Sequence, residues 1–304
     1  MIHVIKRGLL TTVQDMGRRG FTHLGLSPGG AADSVAFRLA NLVAGNYANA
    51  PALEITLLGP TLELELEATI AICGSRTSTS LPVNEPIRVA AGERLIIGSL
   101  LDGARAYLAV RGGIAVPGLM GSCATFLPAK IGGFQGRALQ NGDRLPIGTR
   151  TPREACKLSS ATAVLLQQRE GNILVTRSLQ SDWFDKKVIR QFHEQPFTVT
   201  SQSNRSGLRL SGQPIAANRS DELVTEGIPL GAIQVPPDGL PIILFVDQQT
   251  TGGYPKIANV IAAHLPRIAQ LRPGDEVRFH QTTIAEAIAM LRNQENVLRE
   301  AFAQ

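Results

Sequence analysis

The chain has 304 residues, of which 43% are hydrophobic and 18% are charged, and its formal net charge is +5. It is long enough to bury a substantial core and to form two domains of ordinary size. Its basic residues are scattered among acids rather than gathered in one tract, which argues against a nucleic-acid-binding protein.

The sequence also excludes several other classes of protein. No apolar run approaches the roughly 20 residues that span a bilayer, and residues 1–7 lack the apolar segment of a signal peptide. We therefore expect a cytoplasmic protein without contact to a membrane. The three cysteines and five histidines show no metal-ligand spacing, so the sequence predicts neither a disulfide framework nor a bound metal.

Short apolar segments broken by glycine and proline predict a mainly β fold. Residues 61–67 alternate leucine with glutamate, which is the two-residue period of a half-buried strand. Other predicted strands cover residues 9–13, 69–73, 94–97, 105–110, 163–166, 197–201 and 242–246. Many short strands at regular spacing are typical of β-barrels and sandwiches.

Few helices are predicted. Residues 33–44 have a helical apolar pattern that ends at Gly45, a typical C-cap glycine. Thr283 and Glu286 form a capping box at the start of a C-terminal helix, and Pro255 suits the first turn of a helix that continues from Lys256. Polar residues at 149–161 predict a linker between an N-terminal domain, residues 1–150, and a C-terminal domain, residues 162–304.

A polar segment, residues 247–256, follows the apolar run at 241–246 and is the strongest candidate site. Asp247, at the end of a buried strand, suits a general base, and Lys256 suits a proton donor or a group that stabilises negative charge. The residues between them are predicted to bind substrate: Gln249, Thr250, Thr251, Gly252, Gly253 and Tyr254. The alternative is an ordinary connection in which Asp247 caps a turn and Lys256 is solvated.

A second polar cluster, near the start of the chain, contains Gln14, Asp15 and Arg18. An amide and a guanidinium there would bind a planar polar group, with Asp15 as a third catalytic candidate. The alternative is an Asp15–Arg18 salt bridge that ties down a loop. Ser203, Asn204 and Arg205 form a further polar turn that is predicted to bind substrate. The alternative is a turn that only supports the fold.

Several ordered motifs resemble one known family. The run Thr-Thr-Val-Gln-Asp at 11–15, the run Ala-Leu-Glu-Ile-Thr at 52–56 and the run Gln-Thr-Thr-Gly-Gly-Tyr-Pro-Lys-Ile-Ala at 249–258 look like the biotin-dependent carboxyltransferase/allophanate hydrolase subunit 2 family. The likeness covers nearly the whole chain. It implies two cyclophilin-like β-barrel domains, with a few short helices and a C-terminal helix.

The resemblance also implies a function. Members include the C subunit of an ATP-dependent 5-oxoprolinase, which acts with two partners, a KipI-like protein as the B subunit and a LamB/YcsF-like protein as the A subunit. No usual nucleotide loop is present, so ATP would be shared with these partners. The chain lacks the Ala-Met-Lys-Met biotinylation motif and stands without fused carboxylase parts, which favours the C subunit. The alternatives are a biotin-dependent carboxyltransferase acting on urea or a similar amide, and a KipA-like regulatory partner without catalysis.

Overall fold

The structure is a computed structural model that describes residues 1–167, 172–218 and 223–303. It is mainly β, as predicted. The chain divides into two units: the first comprises Met1–Arg18, Gly29–Gln168 and Asn296–Gln304, and the second comprises Arg19–Pro28 and Arg169–Glu295. Among the described residues, no helix has both the length and the apolar character needed to cross a membrane.

The first unit is built from antiparallel strands and two helices. Its strands are β1 (Ile2–Lys6), β2 (Leu10–Gln14), β3 (Ala52–Thr56), β4 (Thr61–Leu64), β5 (Ala68–Gly74), β6 (Pro86–Val89), β7 (Arg94–Ile96), β8 (Arg105–Val110) and β9 (Arg144–Leu145), and its helices are α1 (Ser34–Val43) and α2 (Ser160–Gln167). They form one sheet in the order β7-β4-β1-β9 and another in the order β2-β3-β8-β5-β6.

The five-stranded sheet is buried on both faces, and β8 shows why. Leu108 and Val110 pack in the core shared with the four-stranded sheet. Tyr107 and Ala109 point the other way, into a core formed with helix α1. Because neighbouring residues of a strand face opposite sides, a strand buried on both faces is largely apolar, as β8 is from Ala106 to Val110.

A buried polar network holds the start of α1. The Asp33 carboxylate accepts hydrogen bonds from the backbone N–H groups of Val35 and Ala36, at 3.1 and 2.8 Å. The Asp33 N–H in turn donates to the Tyr107 hydroxyl, which donates to the Glu54 carboxylate, both at 2.7 Å. Burial is the main cause that raises the pKa of the Tyr107 hydroxyl, so the hydroxyl keeps its proton and remains a donor.

The second unit contains a larger sheet. Its strands are β10 (Ile173–Arg177), β11 (Phe197–Val199), β12 (Gly207–Ser211), β13 (Glu226–Gly227), β14 (Ala232–Gln234), β15 (Ile242–Leu244), β16 (Thr251–Gly252), β17 (Lys256–Val260), β18 (Glu276–Val277) and β19 (Phe279–Gln281), and its helices are α3 (Lys186–Glu194), α4 (Leu265–Gln270) and α5 (Ile284–Ala303). From Asn296 onward, α5 belongs to the first unit.

The eight-stranded sheet nearly closes into a barrel. Its order is β18-β11-β12-β15-β14-β17-β10-β19, and the two end strands are consecutive in the chain, separated by Arg278 alone. A separate two-stranded ribbon pairs β13 with β16. The ring stack of Phe192 on Phe279, with centroids 4.8 Å apart, fills part of the core beneath α3.

Two predicted elements have the wrong type. Residues 256–260 form a strand rather than a helix, because β17 pairs on both sides, with β10 and β14. Residues 163–166 lie in helix α2 rather than a strand, and the Ser159 hydroxyl accepts from the Thr162 N–H at the start of that helix. The segment predicted as a linker, 149–161, belongs to the first unit.

The C-terminal helix begins as predicted. The Thr283 N–H donates to the Glu286 carboxylate at 2.9 Å and the Glu286 N–H donates to the Thr283 hydroxyl at 3.2 Å, which is a reciprocal capping box. Its predicted apolar face is buried only in part, since Ile284 is 69% exposed and Leu298 is 1% exposed.

Candidate functional site

The 247–256 segment connects β15 to β17 in the second unit and includes the short strand β16. Asp247 and Lys256, at its two ends, are both buried. Thr251 and Tyr254, between them, are exposed. The segment therefore has buried charged ends and an accessible middle, which is a suitable arrangement for binding a small polar ligand.

Asp247 is held in a buried ion pair. Arg205 donates through Nε to one carboxylate oxygen at 2.8 Å and through Nη2 to the other at 3.0 Å. The two side chains are 4% and 1% exposed. Two parallel hydrogen bonds fix both groups in one plane. Both oxygens are thus engaged with a buried cation, so the geometry favours an orienting ion pair.

Lys256 forms a second ion pair that the sequence did not reveal. Its Nζ lies 2.6 Å from a carboxylate oxygen of Glu226, and the lysine side chain is 5% exposed. Gln180 donates from Nε2 to the same oxygen, while its Oε1 accepts from the Lys256 N–H at 3.2 Å. The hydrogen bond from Lys256, followed by that from Gln180, lowers the pKa of Glu226.

The second unit has two further buried glutamines. Gln234 is paired with Lys256 across β14 and β17 and is 1% exposed. Gln248 donates from Nε2 to the Ile228 carbonyl at 2.9 Å, and within the described ranges its buried Oε1 accepts from no protein donor. Primary amides offer both donors and acceptors, so such groups can recognise an amide substrate.

The two glycines of the segment permit close packing rather than an unusual backbone. A Cβ on Gly252 would lie 2.6 Å from Ile228 and 3.0 Å from the Gln234 amide nitrogen. A Cβ on Gly253 would lie 3.1 Å from the Leu223 carbonyl. Because no side chain intervenes, the segment lies directly against the amide of Gln234.

The other predicted residues of the second unit shape turns. The Asn204 side chain accepts from the N–H groups of Ser206 and Gly207, at 2.8 and 3.3 Å, and the Ser203 hydroxyl accepts from the Arg209 N–H at 3.0 Å. Thr250 accepts from the Ile228 N–H through its carbonyl. Gln249 is exposed. Their predicted part in substrate binding stays a prediction.

The predicted cluster near the start of the chain lies in the first unit and is extensively hydrogen-bonded. Asp15 accepts from Gly17 N–H at 2.7 Å, from the Ser122 hydroxyl at 2.6 Å and from Cys123 N–H at 2.5 Å. Arg18, 1% exposed, donates to the Ala124 carbonyl at 2.6 Å. These bonds join the end of β2 to residues 122–125.

Gln14 lies beside that cluster and is fully buried. Its Nε2 donates to the Thr12 hydroxyl at 3.0 Å and to the Thr125 carbonyl at 3.1 Å. Its Oε1 is buried and accepts from no protein donor in the part of the chain that the structure describes. A buried acceptor that lacks a donor is costly, which makes Gln14 the strongest binding candidate of this cluster.

Sequence reasoning missed Gln180 and Glu226. They lie 76 and 30 positions before Lys256 and belong to no motif with it. No local pattern in the sequence marks either residue as a partner of Lys256. Their role depends on the pairing of β13 with β16, which brings distant residues together.

Comparison with known proteins agrees with this architecture. Residues 24–281 match the model of the carboxyltransferase domain, subdomains A and B. The chain is 41% identical to the C subunit of 5-oxoprolinase from Escherichia coli over 99% of this chain and 97% of that protein. It is 37% identical to urea amidolyase of Lachancea kluyveri over 91% of this chain, but it spans 16% of that protein.

Solved structures show the same likeness. The urea carboxylase of Kluyveromyces lactis superposes with a TM-score of 0.92 at 34% identity, covering 99% of this chain and 29% of that one. The family match extends over most of the chain, and both units contribute residues to it. The chain therefore belongs to the carboxyltransferase family that is defined by subdomains A and B.

Proposed function

We propose that this chain is the C subunit of an ATP-dependent 5-oxoprolinase. The complex would convert 5-oxoproline, ATP and water into glutamate, ADP and phosphate, with the A and B subunits as partners that share the ATP. The observation that carries this proposal is the 41% identity to the Escherichia coli protein, which extends over 99% of this chain and 97% of the relative. The corresponding protein of Haemophilus influenzae is 36% identical over 97% of this chain.

The chemistry of the second unit suits a lactam substrate. A lactam oxygen becomes a better nucleophile when the amide proton is withdrawn and the imidate-like form is stabilised. The Lys256 ammonium would stabilise negative charge on a substrate oxygen. The Gln248 Oε1 offers an acceptor for the lactam N–H. Fixed donors and acceptors in a buried site orient the substrate without reorganisation.

We assign proton handling to Lys256, with Asp247 and Asp15 as further candidates. Support for Lys256 is stronger, because its partner Glu226 is 46% exposed and can yield its place. Asp247 and Asp15 are each held by several donors inside the protein. Gln14 and Arg18, which belong to the first unit, stay predicted substrate-binding residues.

A second candidate function is carboxyl transfer from biotin to urea or a similar amide. The urea amidolyase and urea carboxylase relatives favour it. Biotin would then be carried by another chain. A third candidate, a regulatory partner without catalysis, predicts that the same polar residues serve assembly rather than turnover.

The test is an ATP-dependent 5-oxoproline cleavage assay with this chain and its two partner proteins. We expect Lys256→Met to lower turnover by about 10²- to 10⁴-fold, the usual contribution of a positioned acid–base group. Lys187→Met, an exposed lysine of α3, is the matched control. Assembly, measured by size-exclusion chromatography, should persist. Loss of assembly before loss of turnover would favour the regulatory role, and activity only with urea and a biotin carboxylase would favour carboxyl transfer.

A further inference from the structure

The Lys256 ammonium needs an anion beside it. The side chain is 5% exposed, and a buried charge without a partner is strongly unfavourable. In the structure, the Glu226 carboxylate supplies that anion at 2.6 Å. An anion is therefore the favoured replacement for Glu226.

Gln180 completes a binding site for a carboxylate. Its Oε1 is held by the Lys256 N–H, so its Nε2 points at the same Glu226 oxygen that Lys256 contacts. Gln180 is 8% exposed and Lys256 lies on β17, which is paired on both sides. Both donors are thus fixed by the barrel before any anion arrives.

Glu226 is attached far less firmly than the donors that hold it. It lies on β13, a two-residue strand whose partner β16 is also two residues long. Both residues of β13 are exposed, and the Glu226 side chain is 46% exposed. A Cβ on the neighbouring Gly227 would meet nothing within 4 Å, so no described residue packs against that side of the ribbon there.

From this contrast we propose that Lys256 and Gln180 form a subsite for the carboxylate of a small ligand, which Glu226 occupies until that ligand displaces it. The two donors are buried, whereas the carboxylate that they contact lies on an exposed ribbon. Glu226 then acts as an internal competitor of the ligand.

The ligand class is a small monocarboxylate. That it is 5-oxoproline, whose ring carries one carboxylate, rests on the proposed function. Urea has no carboxylate and would leave the subsite to Glu226. The subsite therefore separates the two candidate substrates by charge.

The test compares ligands with and without a carboxylate on the full-length chain. Isothermal titration calorimetry would measure binding of 5-oxoproline, of cyclopentanecarboxylate and of 2-pyrrolidinone, the lactam that lacks the carboxylate. We expect Glu226→Gln to bind both carboxylates about tenfold more tightly, as it would if Glu226 fills the subsite about nine-tenths of the time. Binding of 2-pyrrolidinone should not change.

Control variants separate this effect from a general change of charge. Glu276→Gln removes the same charge from an exposed pair with Arg278 and should leave binding unaltered. Gln180→Leu should weaken binding of both carboxylates. If Glu226→Gln does not fold, Glu226→Asp, which shortens the reach of the carboxylate, should give a smaller gain in the same direction.

The outcomes distinguish this inference from the proposed function. Two results would overturn the subsite even when the complex cleaves 5-oxoproline. One is that Glu226→Gln and the unaltered chain bind both carboxylates with equal affinity, and the other is that neither carboxylate binds. A tenfold gain for both carboxylates supports the subsite even when the complex does not cleave 5-oxoproline, and the proposed function alone then fails.

Discussion

Replacing Asp247 by asparagine removes the charge from the buried pair with Arg205 and keeps nearly the same shape. The two side chains are 4% and 1% exposed, and two hydrogen bonds of 2.8 and 3.0 Å join them. Removing one partner of such a pair costs about 3–5 kcal/mol, because the remaining charge stays buried. We expect Asp247→Asn to lower the free energy of unfolding by about 3 kcal/mol, at the lower limit because the amide oxygen still accepts one hydrogen bond.

The matched control is the exposed pair of Glu276 with Arg278 in the same unit, whose side chains are 58% and 42% exposed. Glu276→Gln should cost about 0–1 kcal/mol, since water already solvates both charges. Urea unfolding would measure both changes, provided that the free energy of unfolding depends on urea concentration with the same slope in each variant. If the two variants agree within about 0.5 kcal/mol, the Asp247 pair does not carry the energy of a buried pair and the reasoning from its geometry is wrong.

The same variant also tests the role of Asp247 in turnover. Assayed well below its unfolding transition, Asp247→Asn should lower the activity of the reconstituted complex modestly if the pair only orients the segment. A loss of about 10²-fold or more with an intact fold would instead identify Asp247 as the proton acceptor.

Three further predictions concern stability and accessibility. Burial lowers the pKa of His264 from 6.5 to about 4, so the unfolded chain binds more protons between these values and the free energy of unfolding should fall as the pH drops, by up to about 1.4 kcal/mol per pH unit. His264→Gln should flatten that slope in urea titrations, and an unchanged slope would contradict it. Gly252→Ala should lower stability by about 1 kcal/mol in the same titrations, because its Cβ would lie 2.6 Å from the end of the Ile228 side chain, which has to shift. Gly227→Ala, on the other strand of the ribbon, meets no atom within 4 Å and should be neutral. Equal effects would contradict the packing argument. Cys156 is exposed and should react with a thiol reagent in the native protein. Cys73 is buried, its thiol has a raised pKa, and it should react only after unfolding. Mass spectrometry of the labelled peptides would measure the order of labelling, and labelling of Cys73 before Cys156 would contradict this prediction.

The elements that the sequence predicted correctly are those with local causes. The capping box of Thr283 and Glu286 requires only four consecutive residues, and both of its reciprocal hydrogen bonds are present. Helix α1 is likewise started by its own cap, Asp33. Strand β8 was predicted with its observed bounds, Arg105–Val110, and its apolar run from Ala106 to Val110 is typical of a strand buried on both faces.

The elements that were predicted wrongly depend on distant partners. A run such as 256–260 has no period that distinguishes a buried strand from a short helix. Its β-branched residues Ile257 and Val260 become a strand because β10 and β14 lie on either side. Residues 163–166 are a similar short apolar run, and there the cap at Ser159 gives a helix.

The candidate site was half visible in the sequence. Lys256 and Asp247 were found because they flank one polar segment. Their partners Glu226 and Arg205 lie far from them in the chain, and Glu226 joins Lys256 only through a two-residue ribbon. Arg205 was predicted as a substrate-binding residue, and its ion pair with Asp247 could not be inferred without knowing that β12 lies beside β15.

The interleaving of the two units bears on how the protein is made. Leu298 belongs to the apolar core of the first unit, beneath α1, yet the ribosome synthesises it only after all of the second unit has been translated. The nascent first unit must therefore wait, with part of that core uncovered, while the other unit emerges. Vectorial synthesis cannot finish these units one after the other, and their folding is coupled in time.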